Sequence, residues 1–452
     1  MGGGPAALGR LVKPDDSRRV SMLLGLLFGL AGMGSSSAAV ALPLLGDELG
    51  VSVSVATWTI SLYALMLAVT TAVYGRISDL VGIRIPMLVG IGLMAGGALV
   101  AAFAPTFEVL LGARLVQGAG AAAVPTLGVA GLSARYDGAV RGLALGRLAG
   151  VAAAVSCLGP LLGGLVEQAF GWRAVMALPV LGVLVLPLIW RALTGEGSGA
   201  RLDVLGAVLV AGTAGGLVLL VQSPSTGLTV ALVGIAMMAL GVPAVVGWTR
   251  RRPDGFLPVE VVRNATVVRS ALAAAAVPAA WFALLVGVPA VLVGEGWEPW
   301  QVGMLLLPSA VLALLTPRLA GPMLDRFGAT RSLVVAGVMA SLALVLASVG
   351  LGLVAPVLVG LAVALVTVAF GIGQPALSAA VGDAVPAEVR GVALGVATLL
   401  FLVGGSVGSA VVGGLGGLVG IPVSLAVLAL LPVLGLVALR PELGRASART
   451  PA

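Results

Sequence analysis

The stretch LLGARLVQGAGAAAVP, residues 110–125, places one permanently charged side chain, Arg114, in a segment of apolar and small residues. The segment lies within a run from Phe107 to Ser133 that is long enough to cross a lipid bilayer. An arginine near the middle of a membrane costs about 2.5–3.5 kcal/mol even on a lenient insertion scale. The first question is therefore which groups compensate this charge.

The composition of the whole chain is that of a polytopic membrane protein. Of its 452 residues, 60% are hydrophobic and 10% are charged, and the mean hydropathy is +1.17; soluble domains carry about 25% charged residues. The chain has no histidine, so mechanisms that need an imidazole are excluded. The single cysteine, Cys157, lies in an apolar run, and we expect a buried, unreactive thiol. The net charge of +7 does not indicate nucleic acid, because the arginines mark membrane orientation.

Apolar runs bounded by charges and by Gly or Pro predict an all-α protein with fourteen transmembrane helices. Spans 1 to 14 are predicted at residues 20–43, 54–75, 85–104, 107–133, 139–166, 172–190, 203–222, 227–248, 266–293, 300–321, 332–352, 356–379, 391–417 and 421–439. Because this number is even, both termini lie on the same side of the membrane.

The basic residues predict which side that is. All 25 of them except Arg114, Arg147 and Arg173 lie in the tails or in every second loop. The intervening loops carry acidic residues, namely Asp47, Glu48, Glu167, Glu295 and Glu298. Cytoplasmic loops are enriched in arginine and lysine, so we expect both termini on the cytoplasmic side of the plasma membrane.

Two pairs of similar segments indicate an internal repeat. YGRISDLVGIR (74–84) follows span 2 and AGPMLDRFGATR (320–331) follows span 10, while RGLALG (141–146) opens span 5 and RGVALG (390–395) opens span 13. The matching positions are Gly75 and Gly321, Asp79 and Asp325, Gly82 and Gly328, Arg141 and Arg390, and Arg84 with Arg331 one residue later. The repeat predicts two homologous six-span halves around a central site, the architecture of secondary transporters.

The repeat also predicts the domain organisation. The expected parts are a tail over residues 1–19, a first half over 20–191, two inserted spans over 192–252, a second half over 253–440 and a tail over 441–452. We expect the glycines at both ends of each loop motif to form tight turns. Asp79 is expected to contact a helix N-terminus or an arginine in one conformation only, although a solvated turn is the simpler alternative.

Three segments resemble motifs of the major facilitator superfamily. Residues 74–84 resemble its cytoplasmic loop motif, G-x-L-x-D-x-x-G-R-K, and LLGARLVQGAGAA resembles its fourth-span motif, which includes Gly118. The segment GRLAGVAAAVSCLGPLLGG (146–164) resembles the fifth-span antiporter motif, with Val155 where that motif has a glycine. Its matching residues are Gly146, Gly159, Pro160, Gly163 and Gly164.

The fourteen-span layout resembles the drug:proton antiporter branch, and several stretches are similar to the tetracycline/proton antiporters. This resemblance implies a major facilitator fold and alternating-access export of amphipathic small molecules, as in drug or natural-product efflux, coupled to protons. We expect a monomer in the lipid bilayer that binds a small-molecule substrate and uses no cofactor and no metal.

The sequence departs from this branch where coupling would occur. Span 1 has Gly34 and Ser35 to Ser37 where the branch usually has an acidic residue, and none of the 18 acids lies in mid-membrane. Glu108 and Glu167 are the only membrane-adjacent candidates for proton carriers, with a raised pKa if the outer vestibule is dry. The alternative function is therefore a carrier of an anionic or neutral solute, or of lipid, without a buried proton-carrying carboxylate. An intramembrane hydrolase would need Ser with Lys or His, an aspartate pair or a metal cluster, and none of these is present within a span.

Several residues within the spans are candidates for substrate contact or coupling. Arg114, Gln117 and Gly118 share one face of span 4, where the arginine either lines a cavity and binds a neutral or anionic cargo or donates to carbonyls of neighbouring helices. Arg147 either receives the same anion or extends to the cytoplasmic surface. The other candidates, each of which is a ligand contact or ordinary packing, are Ser36, Tyr63, Trp281 and Gln374. On span 5 the small face of Ser156, Gly159 and Gly163 is expected to pack closely against another helix.

Overall fold

A computed structural model describes residues 16–136, 138–193, 203–386 and 389–448 of the chain. These ranges are helical and contain no β-strand. Most of the first predicted tail lies outside them, whereas the last helix continues through residues 441–448 of the second.

The helices follow the predicted spans closely. In the first half they are Ser17–Val40 with Leu42–Leu49 (span 1), Val53–Ala56 and Trp58–Val81 (span 2), Arg84–Ala102 (span 3), Phe107–Ala121 with Ala123–Arg135 (span 4), Gly138–Cys157 (span 5), Gly159–Ala177 (end of span 5 and start of span 6), and Leu178–Leu181 with Gly182–Ile189 (span 6). The remaining helices are Val204–Thr226 (span 7), Leu228–Arg251 (span 8), the short Val259–Arg263, Ala265–Gly294 (span 9), Pro299–Gly352 (spans 10 and 11), Pro356–Ala384 (span 12), Arg390–Val419 (span 13), and Ile421–Leu428 with Leu430–Ala448 (span 14).

Thirteen stretches of the described chain are long and apolar enough to cross a membrane. One of them, Leu143–Ile189, has 47 residues and is more than twice the length that a bilayer requires. Gly171 interrupts it with φ 76° and ψ 173°, which is not helical. Division at this glycine separates spans 5 and 6 and gives the fourteen spans that the sequence predicts.

The glycine turns repeat in the two halves. Gly82 (φ 79°, ψ −173°) and Gly328 (φ 77°, ψ 168°) have nearly the same backbone conformation, as their places in the repeat predict. A left-handed φ strongly favours glycine because a Cβ would clash with the backbone. The expectation of a second turn at Gly75 and Gly321 is wrong: both lie inside helices. A helix needs a left-handed residue only where it ends, so one glycine of each motif is sufficient.

Ion pairs between spans identify the two ends of the bundle. Asp16 pairs with Arg135, and Arg269 Nη1 lies 3.2 Å from Glu442 Oε1, so the first and last described residues lie at one end, here called the terminal end. At the other end, called the opposite end, Glu48 pairs with Arg173. Hydrogen bonds from Arg173 and Trp172 hold the pKa of Glu48 below its ordinary value. Arg173, one of the three arginines outside the alternate loops, thus has a carboxylate partner.

The two inserted spans pack asymmetrically. Span 7 contacts spans 2 and 13, and Gln222 Nε2 donates to Thr57 Oγ1 at 2.8 Å. In span 8 only Gly234 is buried. Its large apolar residues are exposed, Leu240 by 75%, which requires a lipid environment. The insert therefore contacts both halves through span 7, and span 8 forms part of the periphery.

Candidate functional site

Arg114 is completely buried, and three hydrogen bonds satisfy its guanidinium. Nε donates to the carbonyl of Thr59 at 3.0 Å, Nη2 to the carbonyl of Gly34 at 2.6 Å and Nη1 to Gln117 Oε1 at 2.5 Å. These acceptors lie on spans 1, 2 and 4. Of the two alternatives that the sequence leaves open, the structure shows compensation by carbonyls of neighbouring helices.

Tyr63 completes the environment of this arginine. Its ring lies 4.4 Å from Arg114 Cζ, close enough for a cation–π interaction. Its hydroxyl donates to the carbonyl of Ala31 at 2.6 Å, and Gly118 packs against the backbone of Tyr63 itself. Tyr63 is buried as well, so Arg114 and Tyr63 together cross-link spans 1, 2 and 4. Glu108 is exposed at the start of span 4 and does not pair with Arg114.

Three polar atoms near Arg114 remain without a partner among the described residues. They are Ser35 Oγ, Ser36 Oγ and Gln117 Nε2, all buried. Buried polar groups normally form hydrogen bonds, since an unsatisfied one costs about 1–3 kcal/mol. The serines that replace the acid of related span 1 segments therefore form a polar but uncharged region beside Arg114.

The small face of span 5 packs against span 1, as the sequence predicts. Gly159 faces Ser36, and an ideal Cβ on Gly163 would lie 2.9 Å from Cα of Ser37. Val155, which replaces a motif glycine, faces Gly29 of span 1. The glycine missing from span 5 is thus matched by a glycine on its partner helix. Pro160 is buried at the start of the second segment of span 5.

The two halves meet closely at the opposite end. An ideal Cβ on Gly164 would lie 2.5 Å from the carbonyl carbon of Pro299 and the amide nitrogen of Trp300 on span 10. On the other side of the interface, Ser61 and Ser409 share a hydrogen bond of 2.9 Å between spans 2 and 13. Nearer the surface, Ser54 lies against Gly417. These contacts close the opposite end.

The terminal end is more open between the halves. Gly146 and Gly395 occupy equivalent positions of the repeat, and neither has an atom within 4 Å of an ideal Cβ. Gln374 lies one helical turn from Phe370 on the same face of span 12, toward the terminal end, and its side chain is exposed. These three positions near the terminal end therefore face open space.

An aromatic group lies between these open and closed regions. Phe370 packs against Trp281 with a centroid distance of 5.7 Å and against Phe401 at 5.5 Å. Trp281 also contacts the apolar cluster of Cys157 with Ala310, which joins spans 5 and 10. Cys157 is buried, as predicted. The sequence analysis identified Trp281 and missed both phenylalanines, although aromatic residues make up only 4% of the chain.

The other predicted site residues remain apart from this group. Arg147 is half-buried, and no hydrogen bond or ion pair joins it to a described residue. Arg141 and Asp325 are exposed. The Asp79 side chain lies outside the described part of the structure. Two motif arginines reach backbone carbonyls near the terminal end: Arg84 donates to Leu193, and Arg390 to Gly382 at 3.1 Å.

Comparison with known proteins identifies the family. The sequence model of the Major Facilitator Superfamily matches residues 24–409 and 271–451. The chain belongs to the Major Facilitator Superfamily. It is therefore a multi-pass membrane transporter and not an enzyme, and the resemblance of its motifs is confirmed.

Individual relatives support this assignment. The chain is 30% identical over 397 residues to the multidrug resistance protein Stp of Mycobacterium tuberculosis (strain CDC 1551 / Oshkosh), which covers 83% of this chain and 71% of that protein. It is 28% identical over 397 residues to the tetracenomycin C resistance and export protein of Streptomyces glaucescens, covering 85% of this chain and 73% of that protein.

Solved structures share the fold of this family member. A POT family transporter in complex with 5-aminolevulinic acid superposes with a TM-score of 0.68 at 14% identity, over 94% of this chain and 96% of that chain. The human organic anion transporter MFSD10 gives a TM-score of 0.66 at 17% identity, over 95% of this chain and all of that one. The predicted all-α major facilitator fold is confirmed.

Proposed function

We propose that this protein exports amphipathic small molecules, such as drugs or natural products, by alternating access coupled to protons. The position of the aromatic group carries this proposal: Trp281, Phe370 and Phe401 lie where the halves meet, beyond the closed contacts and within reach of the open terminal end. Aromatic faces bind apolar and cationic groups without requiring one fixed geometry. The names of the relatives, multidrug resistance and antibiotic export, support the same substrate class.

The halves that move in this proposal are residues 20–191 and 253–440. The similar φ and ψ angles of Gly82 and Gly328 support their equivalence. Residues 192–252 form the insert, which contacts both halves through span 7. Motif residues at the terminal end, such as Asp79 and Arg390, would act on the equilibrium between the two conformations.

The enclosed environment of Arg114 argues against an anionic substrate that binds to this residue. Its guanidinium is enclosed and its contacts are to carbonyls and an amide, so a substrate would have to displace hydrogen bonds within the first half. The hypothesis of a neutral or anionic cargo rested on an accessible arginine. We therefore place the substrate beside the aromatic group and assign Arg114 a role in holding spans 1, 2 and 4 together.

We infer from the basic loops that the terminal end is cytoplasmic, which makes the described conformation inward-facing in a plasma membrane. Ser225 lies at the opposite end, in the last turn of span 7 just before the turn at Gly227. An epitope tag inserted there should react with antibody on intact cells, whereas a tag at Arg250–Pro253 should react only after permeabilisation. Reaction of the Ser225 tag only in permeabilised cells would contradict both the orientation and the fourteen-span topology.

The aromatic group provides the test of the substrate site. Trp281→Ala should raise the apparent KM for export of a hydrophobic fluorescent dye from proteoliposomes by about tenfold, since aromatic contacts contribute about 0.5–1.5 kcal/mol each beyond their buried area. Trp281→Phe should restore most of the affinity. Phe170→Ala is the matched control, because Phe170 is 76% exposed at the opposite end. An unchanged KM in Trp281→Ala would move the substrate site elsewhere, and absence of export by the unmodified protein would refute the function.

A further inference from the structure

Glu167 is a buried acid at the closed contact between the halves. Only 7% of its surface is exposed, and its Oε2 atom has no hydrogen-bond partner among the described residues. It lies one helical turn beyond Gly164, the residue that touches the backbone of Pro299 and Trp300. Closure of the opposite end therefore buries this carboxyl group.

A second acid lies close to this contact on the other half. Glu298 directly precedes Pro299 and is the N-cap residue of span 10, where its backbone N–H donates to Gln301 Oε1 at 2.9 Å. Its charge acts unfavourably on a charged Glu167.

No basic group compensates Glu167 in the described part of this end. Arg173 is paired with Glu48. The remaining charged residues of this end are acids that are exposed, namely Asp47, Glu108 and Glu295. An ionised carboxylate that is buried beside a second carboxylate and lacks a hydrogen bond is strongly unfavourable, whereas the neutral acid is tolerated.

We propose that Glu167 is a proton-binding group of the transport cycle, and that the opposite end closes only when this carboxyl group carries a proton. The proton comes from water while that end is open, bonds to a Glu167 oxygen and stays there during closure. Release of the proton to water on the terminal side leaves Glu167 ionised, and the ionised carboxylate opens the contact. This proposal rests on the proposed function and names the step at which external protons enter the cycle.

A disulfide across the interface reports closure directly. An ideal Cβ on Gly417 would lie 3.6 Å from Cβ of Ser54, within the range of about 3.5–4.5 Å found in disulfides. The pair Ser54→Cys/Gly417→Cys is placed in a Cys157→Ala background, and the rate of oxidative cross-linking in membranes is measured from about pH 4 to about pH 8. Thiol chemistry itself depends on pH, so each rate is divided by that of the same pair carrying Glu167→Gln.

The expected result is a ratio that falls with rising pH. Glu167→Gln mimics the protonated acid and should close at every pH. The protein with Glu167 should cross-link equally fast near pH 4, where a solvated Glu is protonated, and at least about tenfold more slowly near pH 8, since one pKa unit represents a tenfold change. Glu295→Gln, which removes an exposed acid three residues before Glu298, should leave the profile unchanged. A ratio that is constant with pH would overturn the proposal.

A second variant keeps the proposal testable if Glu167→Gln fails to fold. Glu298→Gln removes the repulsion and leaves Glu167 in place, so closure should lose less at high pH, and cross-linking near pH 8 should be about threefold faster or more than with Glu298. An unchanged rate near pH 8 would contradict the role of the pair. Dye export is measured on the same variants without the disulfide. If neither the unmodified protein nor any variant exports the dye, the proposed function fails. If export is normal but cross-linking does not depend on Glu167, only this inference fails.

Discussion

Arg114→Lys is expected to lose transport nearly as completely as Arg114→Ala. The guanidinium reaches the carbonyls of Gly34 and Thr59 and the amide of Gln117 at the same time. A lysine ammonium is a compact charge that cannot reproduce this planar set of donors. Each hydrogen bond that involves a charged group contributes about 1.5–3 kcal/mol, so both variants should unfold at a much lower temperature in detergent than the unmodified protein.

The matched control for this prediction is Arg147, a half-buried arginine of span 5 with no hydrogen bond or ion pair to a described residue. Arg147→Lys and Arg147→Ala should keep the melting temperature within a few degrees. Transport and melting temperature that stay normal in Arg114→Ala would show that the cross-link between spans 1, 2 and 4 is dispensable. Loss of transport with a normal melting temperature would instead return Arg114 to a direct role in substrate binding.

Gly164→Ala is expected to prevent closure of the opposite end. The new Cβ would lie 2.5 Å from backbone atoms of Pro299 and Trp300, and backbone cannot move aside as a flexible side chain can. Overpacking of this kind costs about 1–3 kcal/mol, which corresponds to a shift of about 5- to 150-fold in a conformational equilibrium. Export should fall by a similar factor, and the cysteine pair at Ser54 and Gly417 should cross-link more slowly.

Gly112→Ala is the control for Gly164→Ala. Gly112 lies on span 4, is exposed and has no atom within 4 Å of an ideal Cβ, so the same substitution should change neither export nor cross-linking. Normal cross-linking in Gly164→Ala would mean that the halves approach each other differently from the arrangement described above. Loss of export in both variants would point to a general sensitivity to added side chains.

Much of the fold was predictable because its signals are local. Apolar runs between charged loops predicted the spans within a few residues. The second glycine of each loop motif predicted the left-handed turns at Gly82 and Gly328. The first glycine was misjudged, since a helix can run through a glycine unless another constraint ends it. The packed face of span 5 was also predictable, because small residues at helical spacing permit close approach.

The site itself was less predictable. Trp281 was identified as one of few aromatic residues in the spans, but its neighbours Phe370 and Phe401 lie 89 and 120 positions later in the numbering and no local pattern links them. The packing of Val155 against Gly29 could not be predicted from the sequence either. It is visible only when the two helices are placed together.

The sequence by itself determined that the chain is an α-helical membrane transporter with repeated halves, and that Arg114 must be compensated. It did not determine the compensating groups, because every residue has a carbonyl and nothing in the sequence marks those of Gly34 and Thr59. Only the tertiary structure showed that these carbonyls surround the guanidinium and that Gly164 meets Pro299. It also showed that Glu167 is buried, since burial of an acid depends on which distant helix covers it.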